Sequence, residues 1–229
     1  MITMTFETTL QTVNTRIEVA CQTAQRARDS VLLLAVSKTF SAEAVAQVAA
    51  LGQRDFGENY IQEGVEKITH LSALQLTWHC IGPVQGNKTR LVAEHFDWVH
   101  SVDRLKIAQR LSDQRPDHLP PLNLCIQVNI DGGASKAGVS PSETLALAQA
   151  VAGLPKLRLR GLMTIPEPAP DFAAALAVHR TAKALFDDLC ASGLDLDTLS
   201  MGMSADLEAA IQAGSTMVRV GSAIFGGRL

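Results

Sequence analysis

Short apolar runs alternating with helix-length amphipathic stretches recur along this 229-residue chain, and few architectures accept such a pattern. The clearest run is Val31-Leu32-Leu33-Leu34-Ala35-Val36, which has no polar residue at alternate positions and so reads as a strand buried on both faces. Residues 54–57, 76–81, 96–100, 122–130, 157–163, 196–199 and 217–220 are the further predicted strands. Ahead of them, Phe6, Leu10, Val13, Ile17, Cys21 and Ala24 fall at spacings of three and four, which predicts a leading helix. Ser41 is placed to cap a helix reaching Gly52, and Ile61, Val65 and Ile68 share one helical face. Ser140-Pro141-Ser142-Glu143 has the form of a capping box with proline in the first turn, so a helix should run from there through Val151. Phe172, Leu176, His179, Phe186 and Leu189 mark another. Eight strands with helices between them is the count of an α/β chain folded as a (β/α)8 TIM barrel, here with an extra N-terminal helix. A doubly wound open sheet shows the same alternation, and either fold places ligands at the carboxyl ends of its strands. No linker, charge block or low-complexity tract divides the sequence, so residues 1–229 are expected to form one domain.

Composition narrows the function classes. Twenty basic against 23 acidic residues give a net charge of −3, which argues against a broad basic footprint for nucleic acid. An anionic ligand would have to be held locally, by a few placed groups. Hydrophobic content of 47% with 19% charged residues excludes a disordered or collagen-like chain. The longest stretch without a formal charge, residues 68–87, contains His70, Ser72, Gln75, His79 and Gln85, so no membrane span is expected. Glu7 precedes any basic residue and no small-residue cleavage pattern follows an apolar stretch, so a secretory signal is not expected either. Cys21, Cys80, Cys125 and Cys190 lie far apart, as reduced thiols used to fill a core do, and a cytosolic location is the expectation. Neither H-E-x-x-H nor a comparable His/Cys spacing is present, so no metal site is expected.

The candidate chemistry lies at strand ends. Lys38 stands two residues past the first predicted strand, where partial desolvation would favour its neutral, nucleophilic amine. Ser200-Met201-Gly202-Met203-Ser204 follows the seventh strand and Arg219-Val220-Gly221-Ser222 ends the eighth, the two loops from which such barrels frequently build a phosphate site. Ser204 reads as the N-cap of a helix containing Leu207 and Ile211, and Gly202 and Gly221 would let backbone approach phosphate oxygens. Arg219 and Gly221 share one side of their strand, so in a closed barrel Arg219 and Lys38 would both border the mouth. A carbonyl-binding lysine beside a phosphate cradle suggests pyridoxal 5′-phosphate. The segment from Gly82 to Thr89 misses the P-loop pattern by one residue, with Asn87 where the second glycine belongs, so nucleotide hydrolysis is not expected. His79, on an apolar strand, reads as a hydrogen-bonded core histidine.

Seven segments, in order, carry a resemblance to a known family: Ala35-Val36-Ser37-Lys38; Phe56-Gly57-Glu58-Asn59-Tyr60; Trp78-His79-Cys80-Ile81-Gly82 with Gln85, Asn87 and Lys88; Val128-Asn129 with Lys136 and Gly138; Gly161-Leu162-Met163-Thr164-Ile165; Ser200-Met201-Gly202-Met203-Ser204; and Arg219-Val220-Gly221-Ser222-Ala223-Ile224-Phe225-Gly226. The chain resembles the pyridoxal phosphate homeostasis proteins over nearly its whole length. The resemblance implies a barrel like the N-terminal domain of alanine racemase, with pyridoxal 5′-phosphate held as an internal aldimine on Lys38. It further implies Asn59 near the cofactor, Ser200 with the Gly221 and Ser222 amides on the phosphate, and Arg219 facing the pyridine nitrogen. Members of the family are regarded as carriers or regulators of the cofactor rather than catalysts. Apo pyridoxal-phosphate enzymes are the implied recipients.

A permanently protonated arginine at the ring nitrogen makes the ring a weak electron sink, which fits a binder. Eleven residues follow Val218, so a second domain of the kind racemases contribute, with its tyrosine acid/base, is not expected. The alternatives are a pyridoxal-phosphate enzyme such as an amino-acid racemase, and a cofactor-free Schiff-base aldolase.

Overall fold

Eight parallel strands close into a barrel in chain order, each hydrogen-bonded to the next and the last to the first. The structure, a computed structural model, describes residues 5–133 and 137–226. Its strands are β1 (Leu32–Val36), β2 (Asp55–Glu58), β3 (Thr77–Cys80), β4 (Trp98–Val102), β5 (Leu122–Val128), β6 (Leu157–Thr164), β7 (Thr198–Ser200) and β8 (Met217–Val220). The helices are α1 (Phe6–Thr23), α2 (Ala42–Ala50), α3 (Ile61–His70), α4 (Thr89–His95), α5 (Leu105–Gln114), α6 (Pro141–Ala152), α7 (Phe172–Ala191), α8 (Leu207–Ala213) and the short α9 (Ser222–Phe225). Closure pairs Leu32 with Met217 and Leu34 with Arg219, which excludes the open sheet. The expected capping box at Ser140 and Glu143 is present, and Ser41 Oγ accepts from Ala44 N at the start of α2.

Strand alternation explains why the first run lacks a polar side. Leu33, Ala35, Phe56, Val99, Leu124 and Val218 belong to the layer between strands and helices, while Leu34, Trp98, Cys125, Met163 and Met217 form a separate cluster inside the barrel. Both faces of β1 are dry, and this strand is apolar on both. All four cysteines are free thiols, and burial pushes Cys80 and Cys125 up to about 12. No helix among the described residues is long and apolar enough to cross a membrane.

The extra helix α1 buries Leu10, Val13, Ile17, Ala20 and Cys21 and packs beside α8 and α9. Its polar contacts hold the two last loops. Thr9 Oγ1 donates to Ile224 O at 2.7 Å, and Arg16 donates to Ser204 O at 2.9 Å while forming a bidentate pair with Glu208. Phe6 meets Phe225 edge-on at 5.8 Å, and Phe40, from the loop after β1, stacks on the same ring at 5.0 Å.

Two local expectations are corrected. β7 runs through Ser200, where the sequence pattern predicts loop, so the Ser200 side chain points into the barrel. The N-cap of α8 is Asp206 rather than Ser204, because Asp206 Oδ1 already accepts from Met203 N at 2.7 Å and closes the turn there.

Candidate functional site

A cavity of about 380 Å³ opens at the carboxyl ends of the strands, within the size range of small-molecule sites. Lys38 reaches it from the end of β1, Asn59 from β2, Ile81 from β3, Ile165 from β6, Met203 and Ser204 from the loop after β7, and Arg219, Gly221 and Ser222 from β8 and the turn after it. Of the residues expected at a site, Lys38, Asn59, Arg219, Gly221 and Ser222 are brought together here. Ser200 is not. Its hydroxyl is fully buried inside the barrel, accepting from Arg219 Nη1 at 2.8 Å and lying 2.9 Å from His100 Nδ1. Lys136 lies outside the described residues.

Lys38 is set by its neighbours. Ser37 N donates to Gly57 O, extending the β1–β2 ladder by one bond, and Ser37 Oγ donates to Glu58 Oε1. Lys67, on α3 and buried, donates to Ser37 O at 2.8 Å, Glu58 Oε1 at 2.8 Å and Glu63 Oε1 at 2.6 Å. Glu63 Oε1 also accepts from Thr39 N at 2.7 Å, and Thr39 takes a left-handed φ of 68°. The residues on either side of Lys38 are therefore both tied to one buried ionic cluster, which leaves the lysine side chain free to enter the cavity. Burial lifts Glu58 above the usual carboxylate range in spite of the hydrogen bonds from Lys67 and Ser37. Glu58, Glu63 and Lys67 were not anticipated as site residues. Their one sequence signal is the i,i+4 Glu63–Lys67 spacing on a helix.

Arg219 is almost wholly buried, and desolvation pushes its guanidinium down to about 10 against the opposing pull of Asp206 and Cys125. Nη1 donates to Ser200 and Nη2 to Thr164 O at 2.8 Å, so the guanidinium plane is fixed from the barrel side while Arg219 borders the cavity. Among the described residues lining the cavity, Lys38 and Arg219 are the only ionisable side chains. Asn59 lines the cavity, and its Oδ1 is buried with no hydrogen-bond partner among the described residues. Gly221 packs so closely on β1 that an added Cβ would stand 3.1 Å from Val36 O.

His100 has a thermodynamic consequence of its own. Burial, with His79 and Arg219 beside it, holds His100 well below the usual imidazole range. The unfolded chain therefore takes up a proton near pH ~6.5 that the folded chain refuses, and stability present above that pH is lost as the pH falls below it. The slope contributed should approach about 1.4 kcal/mol per pH unit. Urea unfolding between about pH 7 and pH 5 is expected to show it in the wild type, and a shallower slope in His100→Gln.

Known proteins resemble this chain in sequence and in fold. Residues 10–229 match the family described as alanine racemase, N-terminal domain. The pyridoxal phosphate homeostasis protein of Pseudomonas aeruginosa is 60% identical over 216 residues, covering 94% of this chain and 93% of the relative. That of Escherichia coli K12 is 54% identical over 222 residues, covering 96% and 95%. Among solved structures, PipY of Synechococcus elongatus with pyridoxal phosphate bound superimposes with a TM-score of 0.80 at 37% identity, over 92% of this chain and all of that one. Alanine racemase of Corynebacterium glutamicum, at 18% identity and a TM-score of 0.68, shares the fold over 62% of its length. The chain belongs to the pyridoxal phosphate homeostasis protein family, built on the barrel of the alanine racemase N-terminal domain.

Proposed function

We propose that this chain binds pyridoxal 5′-phosphate and serves in its intracellular homeostasis as a holder of the cofactor rather than as a catalyst. The observation that carries the reading is the convergence of one amine, one guanidinium and a close-packed Gly-Ser turn on a single cavity of suitable volume. When bound, the cofactor supplies a carbonyl that condenses with an amine and a pyridine ring that draws electrons. Lys38 is the amine that would hold it covalently. Arg219 would meet the ring nitrogen as a donor, and Asn59, which lines the same cavity, would lie beside the cofactor. The amides of Gly221 and Ser222 and the hydroxyl of Ser222 would take the phosphate. The hydroxyl of Ser204 serves in the place first expected of Ser200, since Ser204 lines the cavity and Ser200 does not.

The non-catalytic half of the proposal rests on the same residues. A guanidinium donates hydrogen bonds and accepts none, so it cannot deliver the protonated ring that a carboxylate partner favours. The described lining adds no tyrosine, histidine, cysteine or carboxylate to act as a second acid or base. Residues 1–229 act as one cofactor-binding unit in this reading, located in the cytoplasm, with apo pyridoxal-phosphate enzymes as recipients.

The test is spectroscopic. Protein mixed with pyridoxal 5′-phosphate is expected to acquire a visible absorbance that survives desalting and is absent in Lys38→Ala, with a matching pyridoxyl mass on Lys38 after borohydride reduction. An unchanged spectrum in Lys38→Ala would remove the lysine from the proposal. Turnover of an amino-acid panel that depends on Lys38 would overturn the non-catalytic half and restore a racemase-like enzyme.

A further inference from the structure

A file of polar side chains crosses the barrel interior, where the neighbouring side chains Leu34, Trp98, Cys125, Met163 and Met217 are apolar or weakly polar. Asp55 opens β2 at the amino-terminal rim, with its side chain 22% exposed. Its Oδ1 lies 3.0 Å from His79 Nε2, His79 Nδ1 lies 2.9 Å from His100 Nε2, and His100 Nδ1 lies 2.9 Å from Ser200 Oγ, which accepts from Arg219 at the cavity. Both imidazoles and Ser200 are fully buried. Every ring nitrogen has a partner.

The acceptor-only end of this file sets its direction. The Asp55 carboxylate only accepts, so His79 donates to it from Nε2. With one proton on each ring, His79 Nδ1 then accepts from His100 Nε2, and His100 Nδ1 accepts from the Ser200 hydroxyl, whose oxygen accepts from Arg219. Each link thus follows from the one nearer Asp55, and a chain of this kind is strengthened by mutual polarisation in a low-dielectric interior. Trp98 stacks on His79 at 5.2 Å and 11°, which opposes a flip of that ring.

We propose that Asp55 and the His79–His100 pair are positioning residues for the ligand site: acting through Ser200 from the opposite end of the barrel, they hold the Arg219 guanidinium in the orientation that meets the cofactor ring. This rests on the proposed cofactor reading and deepens it. An apolar pair would fill the same space without desolvating two imidazoles, so the fully partnered file is best accounted for by what it holds at its far end. Asp55 touches neither Arg219 nor the cavity lining, and its influence is therefore separable from direct ligand contact.

The experiment has two arms. In the ligand-free wild-type protein, ¹⁵N NMR of the histidine rings is expected to find His79 and His100 both as neutral Nε2–H tautomers. In Asp55→Asn, whose amide can donate as well as accept, both rings should lose the single tautomer, including His100, which Asp55 does not touch. Loaded with pyridoxal 5′-phosphate, the same variant should show a shifted absorbance and release the ligand faster by on the order of tenfold, within the range of coupling through packed networks. An Nδ1–H tautomer at His100 in the wild type would overturn the proposal, whether or not the variant folds. So would a folded Asp55→Asn whose His100 ring and bound-ligand spectrum match the wild type. Failure of the wild type to take up the ligand would instead sink the cofactor reading, and the ligand-free ring spectra would still decide the direction of the file.

Discussion

Lys67→Met is expected to cost about 3–5 kcal/mol of stability, the range for removing one partner of a buried ion pair. The reason is specific to this cluster. Glu58 is fully buried, its Oε1 is satisfied by Ser37 and Lys67, and its Oε2 has no hydrogen-bond partner among the described residues. Taking away the ammonium leaves a carboxyl group in a dry layer with one donor where it had two, and Ser37 O loses a donor with it. Methionine fills much of the aliphatic stem's volume, so the loss is electrostatic and not a cavity effect. Urea unfolding of the variant measures the cost, and the Glu58→Gln/Lys67→Met double variant should recover a large part of it, since the only carboxylate then left without its lysine is the partly exposed Glu63. The same substitution frees Glu63 from Lys67, so the backbone of residues 37–39 loses part of its anchorage and covalent attachment of pyridoxal 5′-phosphate at Lys38 should weaken in parallel. A cost below about 1 kcal/mol would show that water or a shifted Glu58 replaces the lysine, and that the loop is held by its ladder bonds alone.

That cluster also shows where sequence reasoning stops. The barrel was legible because strands dry on both faces must be continuously apolar, and Leu32-Leu33-Leu34-Ala35-Val36 cannot be read as a half-exposed strand. Lys38, Arg219 and Gly221 were legible because they stand at the ends of such strands, where this architecture keeps its ligands. Lys67 was hidden by a sound general rule, that a charged residue on an amphipathic helix faces water; only the packing of α3 against β2 reveals the buried acid that reverses it. Ser200 was misplaced by one residue of strand. A serine after Thr198 and Leu199 looks like the start of a loop, yet the ladder to Met163 and Met217 carries β7 through it and turns the hydroxyl inward. Ser204 and Asp206 are both good capping residues two positions apart, and spacing alone does not separate them; the turn from Met203 to Asp206 does. The pairing of His79 with His100 has no signature at all, because their separation of 21 positions is set by a strand, a helix and two loops rather than by any motif.

Gly82→Ala is the second substitution with a large expected effect, and it concerns the opposite wall of the cavity. An added Cβ would stand 2.0 Å from Asn59 O and 2.7 Å from its carbonyl carbon, far inside van der Waals contact with main chain. Neither partner can retreat at low cost. Ile81 N is bonded to Glu58 O at 2.9 Å, and Gly82 O accepts from Ser101 Oγ at 2.5 Å, so both backbones are tied into the barrel on either side of the collision. Overpacking of side chains typically costs about 1–3 kcal/mol, and a clash between fixed main-chain segments belongs at or above the top of that range. Gly86 is the matched control: nothing lies within 4 Å of the Cβ it would gain, and Gly86→Ala should be close to neutral. Thermal unfolding of the two variants side by side measures the difference, and cofactor retention in Gly82→Ala should fall because Asn59 is pushed out of the wall it lines. Equal stability of the two alanine variants would mean that the Asn59 main chain moves aside freely, and the placement of Asn59 in the cavity wall would then have to come from the β2 ladder rather than from the close approach of Gly82.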